Sequence, residues 1–98
     1  MRTIRKYKLP TSEKFTVEMP GVRKFLTLGV QHDMPHIWVE VEPESEPYPR
    51  HFRWVGTGNP IPVSMIPNHV MEYRGTWQMA SSAGEFVFHL YEEIHVAR

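Results

Sequence analysis

Cysteine is missing from all 98 residues. That excludes a disulfide scaffold, a thiolate zinc site and a cysteine nucleophile. An excess of one charge is missing too, because Lys plus Arg number 11 and Asp plus Glu number 11. A neutral chain is poorly suited to gripping nucleic acid or an anionic membrane. No apolar run approaches the roughly 20 residues that a membrane helix needs. The basic opening, Met1 to Lys8, has no apolar segment behind it, so no signal peptide is expected. Catalytic motifs are absent as well: there is no Gly-x-Ser-x-Gly elbow, no Walker-type phosphate loop and no His-Glu-x-x-His. Asp33 is the sole aspartate, and Ser64, Ser81 and Ser82 have no base beside them in sequence. These gaps argue for a protein that is not an enzyme and needs no cofactor.

What is present points to short strands. Proline is 9 of 98, nearly twice the usual share of about 5%, and frequent proline breaks long helices. The length suits a single domain over 1–98, burying about two-thirds of its extended surface, a margin that oligomers often widen. Thr3 to Leu9 reads as a lysine-decorated edge strand. Phe15, Val17 and Met19 alternate with Lys14, Thr16 and Glu18 up to the Pro20-Gly21 turn. Lys24 to Gln31 places Leu26, Leu28 and Val30 on one face and Phe25, Thr27 and Gly29 on the other. His36 to Val41 alternates Ile37, Val39 and Val41 with His36, Trp38 and Glu40, so His32 to Pro35 closes a hairpin with both aliphatic rows inward. His51 to Val55, Tyr73 to Met79 and Glu85 to Tyr91 complete the set, the last two joined by a loop from Ala80 to Gly84. Tyr73, Gly75, Trp77 and Met79 are expected on one face. The fold expected is all-β: a compact sandwich or small barrel of about seven short, mainly antiparallel strands.

Two loops stand out. Glu42 to Pro49 carries three acids and three prolines and reads as solvated. Gly56 to Glu72 is long against the usual 4–6 residues or so. Either it is functional, or Met65, Ile66 and Met71 plug the core. Its start, Gly56-Thr57-Gly58, could offer backbone N–H groups as an anion nest beside Arg53 or Arg74. A rigid Pro-x-Pro arm after a bulge is the structural alternative.

Six histidines are many for this length. His32, Asp33 and His36 could converge on a metal across their turn, but exposed turn histidines are the simpler reading, and no metal is assigned. His89 reads as a hydrogen-bonded strand residue. With ordinary pKa values near 6.5, the six would carry the net charge to about +4 or +5 at pH 6, leaving solubility lowest near neutrality. Aromatic and guanidinium groups are interleaved: Trp38, Trp54, Tyr73 and Trp77 with Arg50, Arg53 and Arg74. Aromatic faces stack on bases, guanidiniums fork onto phosphates, and an amide such as Gln31 or Gln78 reads a base edge. A protein hot spot uses the same kit. The candidate ligand residues are Arg53, Trp54, Thr57, Asn59, Gln31, Trp38, Arg74 and Trp77.

Several blocks together resemble a known group. They are Ile4-Arg5-Lys6-Tyr7, the Met19-Pro20 turn, Leu26 to Gln31 with Pro35 and Trp38, Phe52-Arg53 leading to Gly56-Thr57-Gly58-Asn59-Pro60-Ile61-Pro62, Tyr73 to Gln78, and Val87 to Leu90. With its Gly-Thr-Gly-x-Pro-Ile-Pro and Gly-Thr-x-Gln blocks, the chain is similar to a family of small, uncharacterised proteins encoded by bacteriophages. Asn59 departs from the pattern, where a histidine is expected, and this weakens a metal or acid–base role there. The resemblance implies an accessory protein in the cytoplasm of an infected bacterium. Taken with the residues, it leads to a non-enzymatic homo-oligomer that binds a host protein or a small nucleotide-like immune signal, as an anti-defence sponge or inhibitor. The alternatives are a virion-associated structural or assembly protein, and a metal hydrolase using His32, Asp33 and His36.

Overall fold

A computed structural model describes residues 1–82 and 84–96. Alternating side chains settle into seven strands: β1 (Thr3–Lys8), β2 (Lys14–Met19), β3 (Gly21–Gln31), β4 (Met34–Glu42), β5 (Tyr48–Gly56), β6 (His69–Ser81) and β7 (Gly84–His95). They form two antiparallel sheets, ordered β1-β4-β3 and β2-β5-β7-β6, and no helix occurs among the described residues. The expected all-β sandwich is therefore the observed one. Its inner faces meet on Leu9, Met19, Ile37, Val39, Val41, Phe52, Trp54, Trp77 and Leu90. The molecule is a flat slab of 43 × 32 × 17 Å. Its accessible surface of 6570 Å² exceeds the roughly 5.8×10³ Å² typical of this mass, as a thin slab must.

β1 and β2 belong to different sheets, and the link between them ties the sheets together. Leu9 N–H donates to the Pro35 carbonyl at 2.9 Å, Trp54 N–H to the Glu13 carbonyl at 2.9 Å, and the Trp54 indole N–H to the Pro10 carbonyl at 2.8 Å. At the opposite side β3 crosses close to β6. A Cβ built on Gly75 would lie 2.7 Å from the Leu28 Cβ, so only glycine lets the two strands come this near.

Bulges correct the expected faces in two strands. In β3 the register with β4 slips between Val22 and Lys24 and again between Phe25 and Thr27. The second slip turns Leu26 outward and brings Phe25 against the core, edge-on to Phe52 at 6.4 Å. Val30, at the strand's end, is also exposed, so that aliphatic row is only partly inside. In β6 the register slips between Tyr73 and Gly75, leaving Arg74 as the extra residue. Tyr73 therefore does not share a face with Trp77. It lies against Tyr91 and His89 on the outer side.

The strand limits differ as well. β6 begins at His69, four residues earlier than expected, and the last hairpin is tighter, with Ser81 paired to Gly84. Ala83, in that turn, lies outside the described residues. Met65 and Ile66 are exposed, so they do not plug the core. The β3–β4 turn is two residues long, with φ of 53° at His32 and 62° at Asp33. Both angles are left-handed, which marks the type I′ geometry that favours glycine in the second position. Asp33→Gly should therefore stabilise the fold by about 0.5–1 kcal/mol, read as a higher urea midpoint with an unchanged slope.

Candidate functional site

The sandwich interior is apolar through most of its length and turns ionic at one end. Glu92 of β7 points inward beside Phe52, and only 3% of it is exposed. A lone buried carboxylate costs several kcal/mol unless it is paired. Two arginines pair it here. Arg50 of β5 donates from Nε to Oε2 at 2.7 Å and from Nη2 to Oε1 at 3.3 Å. Arg74, the bulged residue of β6, donates from Nε to Oε1 at 3.0 Å, with Nη2 also 3.0 Å from that oxygen. Both guanidiniums lie near the Phe25 ring of the other sheet, at 5.4 Å for Arg50 and 4.4 Å for Arg74. Arg50 also donates from Nη1 to the Tyr48 hydroxyl. The two bulges thus have a local purpose: one delivers Arg74 to the carboxylate, the other delivers Phe25 to Arg74.

One carboxylate neutralises only one of two guanidiniums, so the cluster keeps a net positive charge. Around it opens a cleft of about 410 Å³ lined by Val22, Arg23, Lys24, Phe25, Arg50, Tyr73 and Arg74. Arg23 is engaged with Glu42 at 3.2 Å. Lys24 and the Nη1 of Arg74 have no partner among the described residues. Glu42, where the acidic loop begins, offsets Arg23. Glu44 is held below the usual carboxylate range, first by a backbone hydrogen bond and then by the Met1 ammonium 3.3 Å away. The result is a cationic concavity with oriented guanidiniums and a half-exposed tyrosine at its rim, suited to an oxyanion.

A second depression of about 550 Å³ lies on the outer face of the four-stranded sheet. There the 57–68 segment arches over β5 and β7, held by Ser64 Oγ donating to Glu93 at 2.6 Å. Arg53, Thr16 and Met71 line the floor, and Pro62, Val63 and Met65 the wall. Ile61 is 53%, Val63 83% and Met65 93% exposed, so the segment turns apolar side chains to solvent on either side of its Ser64 anchor.

The candidate residues read from the sequence do not form one surface. Trp54 and Trp77 are buried core, with ring centroids 5.6 Å apart. Trp38 and Gln31 belong to the other sheet, where Gln31 accepts from Lys6 Nζ at 2.7 Å. Arg53 sits in the outer depression and Arg74 in the ionic cleft. Thr57 hydrogen-bonds His89 Nε2 at 2.8 Å, and Thr76 takes the other ring nitrogen at 2.9 Å. His89 is thus the hydrogen-bonded strand residue expected. Asn59 is exposed beside Gly56. The anion nest does not form, because Thr57 N–H is spent on the Val87 carbonyl and Asn59 N–H on the Gly56 carbonyl.

His32, Asp33 and His36 do not converge either. His36 is buried, with Nδ1 2.9 Å from the Met34 carbonyl, while His32 is exposed. No group of three His, Asp or Glu side chains suited to a metal occurs among the described residues. Sequence reasoning missed Glu92, Phe25 and Lys24. A glutamate among the alternating apolar residues of β7 was the signal available for the first.

No curated protein and no solved structure matches this chain. A family model described as a domain of unknown function, DUF7352, matches residues 1–97. With that match over nearly its whole length, the chain belongs to the DUF7352 family.

Proposed function

We propose that this chain is a non-catalytic binding protein for a nucleotide-like anion, held in the cleft between β3, β5 and β6. The observation that carries the reading is the Arg50–Glu92–Arg74 cluster, with Lys24 beside it and Phe25 beneath. Glu92 orients both guanidiniums before any ligand arrives, which lowers the ordering cost of binding. A phosphate accepts from Arg74 Nη1, with Lys24 and Tyr73 at the rim of the same cleft. The resemblance of its sequence blocks to bacteriophage proteins suggests the setting we propose: an accessory protein in the cytoplasm of an infected bacterium, sequestering a host nucleotide signal.

Thermal denaturation with cyclic mononucleotides, cyclic dinucleotides and adenine dinucleotides tests this. A cognate ligand at about 100 times its Kd adds about 2.7 kcal/mol to stability. That raises Tm by roughly 10–20 °C in a domain of this size. Lys24→Ala should weaken that ligand about tenfold and leave the free protein's Tm nearly unchanged, because Lys24 is exposed and makes no ion pair among the described residues. No shift with any of these compounds at millimolar concentration overturns the reading. A stoichiometric host protein recovered on the chain would then assign it to protein inhibition.

A further inference from the structure

A two-sheet sandwich has four edges, and three of them here are blunted. β1 carries Arg5, Lys6 and Lys8, so two copies paired along it would bring like charges together. β3 is bent by two bulges. β6 is bulged at Arg74 and crossed by β3 at Gly75. The fourth edge, β2, is regular: six residues with no bulge and no proline, paired to β5 on one side only.

The sequence of β2 is self-complementary about its middle. Antiparallel pairing with a second copy, centred on Thr16, sets Thr16 against Thr16 and Phe15 against Val17 of the facing strand. It also sets Lys14 against Glu18, twice. Neither charge has a side-chain partner among the described residues. Lys14 lies directly opposite Arg53, a like charge, and Glu18 lies opposite Pro49. Like charges in register destabilise a pair of strands, and a carboxylate arriving beside Lys14 relieves them.

We infer that β2 is the dimer seam, and that two copies join antiparallel across it into one eight-stranded sheet. The contact is isologous and closes on itself, so it yields a dimer and not a filament. The dyad runs perpendicular to the sheet, so both outer faces lie on the same side. The depressions bounded by Lys14, Phe15 and Thr16 in each copy then flank the seam. This arrangement is independent of what the ionic cleft binds.

Charge reversal tests it on the full chain by sedimentation or light scattering, which read mass without any ligand. The wild type should be a dimer of the 11.6 kDa chain. Lys14→Glu alone and Glu18→Lys alone should each weaken association about tenfold or more, since each makes both cross-seam pairs repulsive. Both residues are exposed, so both variants should fold, which circular dichroism checks. Mixing the two variants should restore a heterodimer, and the double reversal should restore a homodimer. A wild type that stays monomeric at millimolar concentration overturns the inference. So does a dimer indifferent to both single reversals.

Discussion

Glu92→Ala should cost about 3–5 kcal/mol of folding stability. The loss comes less from the missing bonds than from what remains behind. Arg50 is 11% and Arg74 19% exposed, so truncation leaves two guanidiniums largely out of water, side by side over Phe25, with no counter-charge. A domain of this size commonly holds about 5–15 kcal/mol in total, so the variant should sit near its unfolding threshold. Urea denaturation followed by tryptophan emission measures it, since Trp54 and Trp77 report the core. Glu92→Gln keeps the volume and loses the charge, and should cost nearly as much. A triple replacement, Arg50→Met, Arg74→Met and Glu92→Leu, makes the opposite prediction. With all three charges gone no ion is stranded, and stability should return to within about 1 kcal/mol of wild type or exceed it. A stable triple variant that no longer binds the nucleotide would separate the cluster's role in binding from its role in folding.

Gly75→Ala should cost about 1–3 kcal/mol, large for the addition of one methyl group. The new Cβ would meet the Leu28 Cβ at 2.7 Å and its Cδ2 at 3.1 Å. The first contact is with an atom fixed to the β3 backbone, so a rotamer change cannot relieve it. One strand must move away from the other. The same shift would carry Phe25 and Arg74 apart, because they lie three and one residues from the two contact points. Leu28→Gly in the same chain removes the clash and should recover Phe25–Arg74 contact, though not full stability, because the leucine itself packs on the core. Chemical denaturation of the four members of this cycle gives the coupling between the two sites.

Much of this architecture was readable from alternation. β2, β4, β5 and β7 follow a period of two, and Phe15, Ile37, Val39, Phe52 and Leu90 all face inward as that pattern requires. Alternation fails where a strand carries an extra residue. A bulge has no side-chain signature of its own, so alternation puts Leu26 and Tyr73 on the wrong faces and turns Phe25 away from the core it joins. The ionic cleft was hidden for a different reason. Arg50 and Arg74 stand 42 and 18 residues from Glu92, on three strands that no local motif connects. Only the order β5-β7-β6 makes them neighbours. Aromatic and arginine residues are plentiful in the sequence. Composition says nothing of direction, and two of the three tryptophans turn inward.

The short link from Leu9 to Glu13 has a consequence for how the chain comes apart. β1 and β2 are edge strands of opposite sheets, yet the backbone and indole bonds of Trp54 and the Leu9–Pro35 bond clamp the link between them. Neither strand can peel away without loosening that buckle, and once it is undone both lose their anchor together. The first nineteen residues should therefore detach as one cooperative unit, read in hydrogen exchange as amides of β1 and β2 that share one opening free energy.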